Sequence, residues 1–270
     1  MNLSVSNIAW NREENDKALE LLKKYGIFNI EIAPTLLFPN FLDTTDDEVK
    51  KLRDEYNSNG FSFVSMQSLL YGAPEHTIFD GAKRVKYLFD YLTKDMKVAN
   101  LLGIKNLVFG SPKNRFSKNP INKESINKAT SFFQKLIEEA QKNDVTVSLE
   151  ANPREYGCNF ITNTIEAIEF VKKINDRQFR LNLDIGAILM NNENLENVIL
   201  KAHGIIGHVH ISTPFLSEID NSTIDHSYTS KIIKDCGYNG SISLEMKANK
   251  TSSNLAILER NIKVFVKHYV

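Results

Sequence analysis

Four metal-type side chains close four short apolar runs of this 270-residue chain at nearly even spacing. Glu150 ends VTVSLE, Asp184 ends RLNLD, His210 lies in HVHIS and Glu245 ends SISLE, with gaps of 34, 26 and 35 residues. Each gap fits one strand, one helix and their connections. Successive side chains of a strand point to opposite faces. Val145, Val147 and Leu149 therefore face one way while Thr146, Ser148 and Glu150 face the other. The same split sets Leu181 and Leu183 against Asn182 and Asp184, Val209 and Ile211 against His208, His210 and Ser212, and Ile242, Leu244 and Met246 against Ser243, Glu245 and Lys247. An apolar face under helices and a polar face ending in a metal-type residue is the pattern of a parallel barrel with an interior site.

The rest of the chain repeats the unit. Strand-like runs fall at 3–9, 28–33, 62–67, 106–110, 145–150, 179–184, 207–211 and 241–246. Helix-period segments follow at 14–25, 46–57, 81–102, 123–143, 164–175, 195–203, 229–235 and 254–268. Thr44 or Thr45 before Asp46, Asp47 and Glu48 supplies a helix cap and negative charge to a first turn. Strict alternation predicts the α/β class and a single (β/α)8 TIM barrel over residues 1–270, with no room for a second domain.

Composition excludes several classes of partner. The 33 basic and 33 acidic residues cancel, and no basic stripe with interleaved aromatics stands out, so neither nucleic acid nor an anionic membrane is the expected partner. The N-terminal segment lacks a signal-peptide pattern and no apolar run approaches the roughly 20 residues of a membrane span, so the expectation is a soluble cytoplasmic protein that binds a small molecule. Cys158 and Cys236 lie far apart without C-x-x-C spacing, and Cys158 reads as an ordinary buried thiol.

Two glutamates, an aspartate and a histidine form an oxygen and nitrogen donor set suited to one divalent cation, Mn²⁺ first, with Mg²⁺, Co²⁺ and Zn²⁺ as alternatives. A lone acid at a strand end is usually a cap or an ion-pair partner. Three acids and a histidine at matching depth in one barrel mouth are different, because the carboxylates repel one another and a cation relieves that repulsion. Open positions on the ion suit two adjacent oxygens of a hydroxy-ketone, and the cation stabilises the enediolate formed when the intervening carbon loses its proton. Glu150 and Glu245, three strands apart, are the expected acid–base pair. His208 shares the parity of His210 one layer deeper and reads as a supporting histidine, with Glu155 as a second supporting group. Glu31, on the second strand and with inward parity, reads either as a member of the pocket or as the partner of an inward cation, and is left outside the set. The expected substrate contacts are Lys113 and Arg115 in FGSPKNRF, Asn152 and Arg154 in EANPREYGCNF, Lys247 after Glu245, and Trp10 as an apolar wall for a sugar ring.

At VSLEAN, LNLDIG, HVHIS and SLEM the chain resembles the xylose isomerase-like barrel superfamily, in particular its sugar phosphate isomerase/epimerase branch with the ketose 3-epimerases. EIAP, SMQSLL and VFGSPKNR support the likeness, which runs over essentially the whole chain. It implies one divalent metal held by Glu150, Asp184, His210 and Glu245, with the two glutamates doubling as acid and base. Ketose epimerases place a histidine soon after the metal aspartate and an arginine soon after the metal histidine. Ala187, Ile188, Thr213 and Pro214 stand there instead, so a substrate other than a free ketohexose is implied, with Lys113, Arg115, Arg154 and Lys247 as replacement contacts for an acidic or phosphorylated sugar. Endonuclease IV is more distantly similar, but its metal cluster draws histidines from the second and third strands, which read FNIEIA and FSFVSMQS here. The expected activity is therefore metal-dependent isomerisation or epimerisation of a sugar. A dehydratase using the same proton abstraction and a non-catalytic sugar-binding barrel are the alternatives, and a homo-oligomer is compatible with each.

Overall fold

The computed structural model describes residues 1–220, 224–249 and 254–270. Its strands are β1 (Asn2–Ser6), β2 (Asn29–Ile32), β3 (Ser62–Met66), β4 (Asn106–Phe109), β5 (Thr146–Glu150), β6 (Phe179–Asp184), β7 (Ile206–Ile211) and β8 (Ser241–Leu244). All pair in parallel in the order β1 to β8, and β8 returns to β1, so the sheet is a closed barrel without edges. The helices are α1 (Asn15–Lys24), α2 (Pro34–Leu37), α3 (Asp46–Ser58), α4 (Ala82–Leu102), α5 (Lys123–Lys142), α6 (Thr164–Ile174), α7 (Ile185–Met190), α8 (Leu195–Lys201), α9 (His226–Asp235) and α10 (Asn254–Tyr269). This is a single (β/α)8 TIM barrel, as the alternation predicts.

The parity has the energetic meaning expected of it. Val147, Leu149, Leu181, Leu183, Val209, Ile211, Ile242 and Leu244 are all buried and join the apolar layer between sheet and helices. Burying each such side chain contributes about 1.5–3 kcal/mol. The opposite face fills the barrel with small polar groups that satisfy one another. Ser4 Oγ lies 2.6 Å from Ser243 Oγ, and Ser148 donates to Asn106 at 2.5 Å. Two register shifts interrupt the ladders, between Ile30 and Glu31 on β2 and between Leu181 and Asn182 on β6. Such irregularities re-aim side chains, and both fall beside residues of the polar cluster described below.

Thr45 caps α3, accepting from the Glu48 N–H at 3.3 Å while the Glu48 carboxylate takes the Thr45 N–H at 2.7 Å. Some expectations change at the strand ends. The first strand stops at Ser6 because Asn7 turns inward and its side chain accepts the Ala33 N–H at 2.8 Å; Asn7–Ala9 then form a 3₁₀ turn. The short helices α2 and α7 were not anticipated. Pro34 opens the first, and the second begins without a connecting loop, Asp184 serving at once as the last residue of β6 and the cap of α7. His226, the first residue of α9, is buried, its ring between Tyr269 Oη at 2.9 Å and the Ile219 carbonyl at 3.0 Å.

Candidate active site

Four consecutive strands deliver the cluster to the C-terminal mouth. Glu150 and Asp184 end β5 and β6, His210 lies one residue before the end of β7, and Glu245 directly follows β8. The register sets Asp184 beside His210. The imidazole is the hub. Its Nδ1 lies 3.1 Å from Glu245 Oε2, 3.2 Å from Glu150 Oε2 and 3.6 Å from Asp184 Oδ2. Neighbouring ligands on an octahedral ion lie √2 bond lengths apart, about 3.0 Å for bonds of about 2.1 Å, and about 3.4 Å on a tetrahedral ion. The donor set therefore fits one divalent cation, with ligand atoms of Glu150, Asp184 and His210 all within 4.8 Å of one another.

Two of the acids are held in place from outside the cluster. Asn182 Nδ2 donates to Glu150 Oε2 at 2.7 Å and Asn152 Nδ2 to Oε1 at 3.0 Å. Asp184 caps α7, its Oδ1 accepting the Ala187 N–H at 2.5 Å, while Ser212 Oγ donates to Oδ2 at 2.9 Å. Two glycines make this packing possible. A Cβ at Gly110 would lie 2.7 Å from Glu150 Oε1, and one at Gly186 would lie 2.6 Å from Ser212 Oγ.

Below the mouth, His210 Nε2 donates to Glu31 Oε1 at 3.1 Å, leaving Nδ1 toward the carboxylates. Ser65 donates to the same oxygen at 2.6 Å, and His208 Nε2 lies 3.0 Å away. Glu31 is completely buried. Burial alone would raise its pKa, but His210 and His208 override it and hold the carboxyl well below its ordinary range. Burial likewise pulls His210 down, and the charges of Glu245 and Glu31, with hydrogen bonds to Asp184 and Glu150, carry it well above an ordinary histidine. Burial pushes Glu245 up to about 7, against the pull of His210 and with repulsion from Glu150 and Asp184. Without a cation, protons occupy the cluster.

The mouth opens into a cavity of about 540 Å³ lined by Glu150, Asp184 and Glu245, and also by Asn152, Tyr156, Phe215, Leu216 and Lys247. Of the expected substrate contacts, Asn152 and Lys247 are there. The others are not. Lys113 pairs with exposed Glu75. Arg115 is wholly buried, its Nη2 donating to the Glu150 carbonyl at 2.8 Å and its guanidinium over the Phe109 ring, because its 3₁₀ turn folds back under the strand end. Arg154 opens the 3₁₀ turn Arg154–Tyr156, which sends Tyr156 into the mouth but Arg154 into an outer groove with Glu166 and Lys173. Glu155, expected to support the cluster, is exposed on that same turn. Trp10 is carried past the early end of β1 and packs in the core, its Nε1 donating to Asn15 Oδ1 at 3.2 Å and its ring facing a separate cavity. Cys158 is buried and donates to the Phe160 carbonyl at 3.2 Å.

Glu31, left outside the set by the sequence, lies inward on β2 and joins the cluster from below. Two further groups carry little or no sequence signal. Asn182 sits two residues before Asp184 on the same polar face, and that parity was the available signal. Phe215 had none.

A barrel with a carboxylate–histidine cluster at its C-terminal mouth defines the class. The chain belongs to the xylose isomerase-like TIM barrel family, whose model matches residues 19–268. No curated protein sequence matches it. Among solved structures it is similar to a D-allulose 3-epimerase from Methylomonas sp. in complex with D-allulose, at 18% identity and a TM-score of 0.81, covering 100% of this chain and 97% of that one. The IolI protein with a bound zinc atom is similar at 19% identity and a TM-score of 0.78, covering 100% and 98%. An AP endonuclease of family 2 from Brucella melitensis gives 18% and 0.78, covering 99% of each chain. At these identities the likeness establishes the shared fold.

Proposed function

We propose that this protein is a divalent-metal-dependent epimerase or isomerase of a keto sugar or sugar derivative, with Glu150, Asp184, His210 and Glu245 as metal ligands. The observation that carries the reading is the convergence of three carboxylates on His210 Nδ1, with Glu150 and Glu245 approaching from β5 and from beyond β8. A divalent cation held there, Mn²⁺ first, supplies positive charge where a hydroxy-ketone gains negative charge as it loses the proton between its two oxygens. Glu245 and Glu150 are the pair that would remove and return that proton, Glu150 being held by two asparagine amides.

The enzymes among the structural relatives differ in chemistry, so the site has to choose. A three-ion cluster of the endonuclease IV type needs ligands from β2 and β3. Here those strands turn Glu31 and Ser65 inward beneath His210, where they bind each other and the histidines. Lys247 is the one cation lining the mouth among the described residues, which favours a neutral or singly acidic sugar over a phosphorylated one. The test is solvent proton exchange. Mn²⁺-loaded protein in D₂O is expected to wash deuterium into the α-carbon of a keto sugar, and Glu245→Gln is expected to slow this by about 10²–10⁴-fold while keeping the fold. Unchanged exchange in the variant would overturn the assignment.

A further inference from the structure

The loop after β7 holds a large apolar side chain in water at considerable conformational cost. Phe215 and Leu216 both adopt left-handed backbone, with φ of 61° and 57°, and Phe215 is 68% exposed. Neither is a residue that visits this region readily. Ser68 and Ser111, also at positive φ, line the same cavity, so four of the eight non-glycine residues with positive φ among those described border this mouth. Clustering of this kind marks binding sites.

The turn is also fastened. Leu216 N–H donates to the Thr213 carbonyl at 2.9 Å, and Thr213 Oγ1 donates to the Ser217 carbonyl at 2.8 Å. The Leu216 carbonyl accepts the Lys247 N–H at 2.9 Å, which ties the turn to the chain leaving β8 two residues past Glu245. Across the mouth, Tyr156 accepts the Phe215 N–H on its hydroxyl at 2.8 Å, and the two rings meet edge to face at 88° with centroids 5.7 Å apart. Burial pushes the Tyr156 hydroxyl up to about 12, with Asp184, Glu245 and Glu150 adding to it, so it keeps a proton to donate.

We propose that Tyr156 and Phe215 form a preorganised aromatic wall that selects closed-ring sugar derivatives, with room for a substituent on the ring, over open-chain ketoses. The proposal rests on the sugar-epimerase reading of the same cavity. A pyranose ring has a continuous C–H face that covers an aromatic ring and leaves its edge hydroxyls for polar groups, whereas an open-chain polyol presents hydroxyls all round. The exposure of Phe215 places the wall at the solvent edge of the mouth, so a glycosidic substituent can extend over it without displacing the turn.

The test uses unreactive probes. Methyl β-D-glucopyranoside, phenyl β-D-glucopyranoside and xylitol are titrated against Mn²⁺-loaded protein, and binding is read from the broadening of probe proton resonances by the site metal, with Asp184→Ala as the blank. Both glucosides are expected to bind about tenfold or more tightly than xylitol, the phenyl compound best, from the apolar area the wall covers. Phe215→Ala is expected to reduce the preference to within about threefold, and Phe215→Trp to retain it. Equal binding of xylitol and the glucosides by the native protein, or an undiminished preference in Phe215→Ala at unchanged metal stoichiometry, would overturn the proposal. The two readings fail separately: absence of solvent exchange into keto sugars sinks the epimerase, and absence of a ring preference sinks the wall.

Discussion

Glu31 and Asp95 are both completely buried acids, yet their surroundings drive them in opposite directions. Glu31 sits in the polar barrel interior, where one oxygen collects Ser65, His208 and His210; it is held well below its ordinary pKa and carries its charge. Asp95 sits on the buried face of α4 with Leu92, Met96 and Ala99, neither oxygen has a hydrogen-bond partner among the described residues, and burial pushes it well above its ordinary range. Partners, more than depth, decide whether a buried carboxyl is ionised. In Glu31 that ionisation has a use, because it orients the imidazole at the centre of the cluster.

Removing the charge of Glu31 is the sharpest way to break this contrast. Glu31→Gln leaves the volume almost unchanged but weakens the acceptor that fixes the His210 ring. Divalent metal affinity is expected to fall by about 10–100-fold, measured by Mn²⁺ titration with circular dichroism to check the fold. Unchanged affinity would make Glu31 a packing residue only. The pH dependence tests the same hub more gently. In the metal-free protein His210 is held well above an ordinary histidine and Glu245 is pushed up to about 7, so binding a cation must expel protons from the cluster. Affinity therefore weakens as pH falls through 7, and calorimetry in buffers of different ionisation enthalpy should show net proton release at neutral pH. No release would mean that the cluster is already deprotonated without metal.

The difference between these two acids also explains what the sequence could and could not disclose. The eight strands, their inward parity and the acids closing β5, β6 and β8 were legible because alternation and helix period are local properties of the chain. The value of Glu31 depends on Ser65, His208 and His210, which arrive from β3 and β7, and no local pattern announces that meeting. The basic loop residues failed in the opposite way. Lys113, Arg115 and Arg154 lie in loops after strands, where binding groups concentrate, but two 3₁₀ turns decide the direction of each side chain. One turn folds Arg115 under Glu150, and the other points Tyr156 inward and Arg154 outward.

Asp95 supplies the smaller effect and the opposite sign. An acid whose pKa is raised by folding binds more protons folded than unfolded between its unfolded value, about 3.9, and its folded one. Its favourable contribution is thus fully present at low pH and is lost as pH rises through that window, and at neutral pH the folded state carries the full desolvation cost of a charge or the cost of holding a proton. Replacing it with an apolar residue of similar size removes both. Asp95→Leu is expected to stabilise the protein at pH 7 by about 1–3 kcal/mol, the usual cost of an unsatisfied buried polar group. That corresponds to a rise in melting midpoint of about 2–6 °C. The gain should shrink below about pH 4, where the native carboxyl is protonated in both states. A variant that is less stable than the native protein at pH 7 would show that α4 hides a partner for Asp95, and the two acids would then differ only in the identity of their partners.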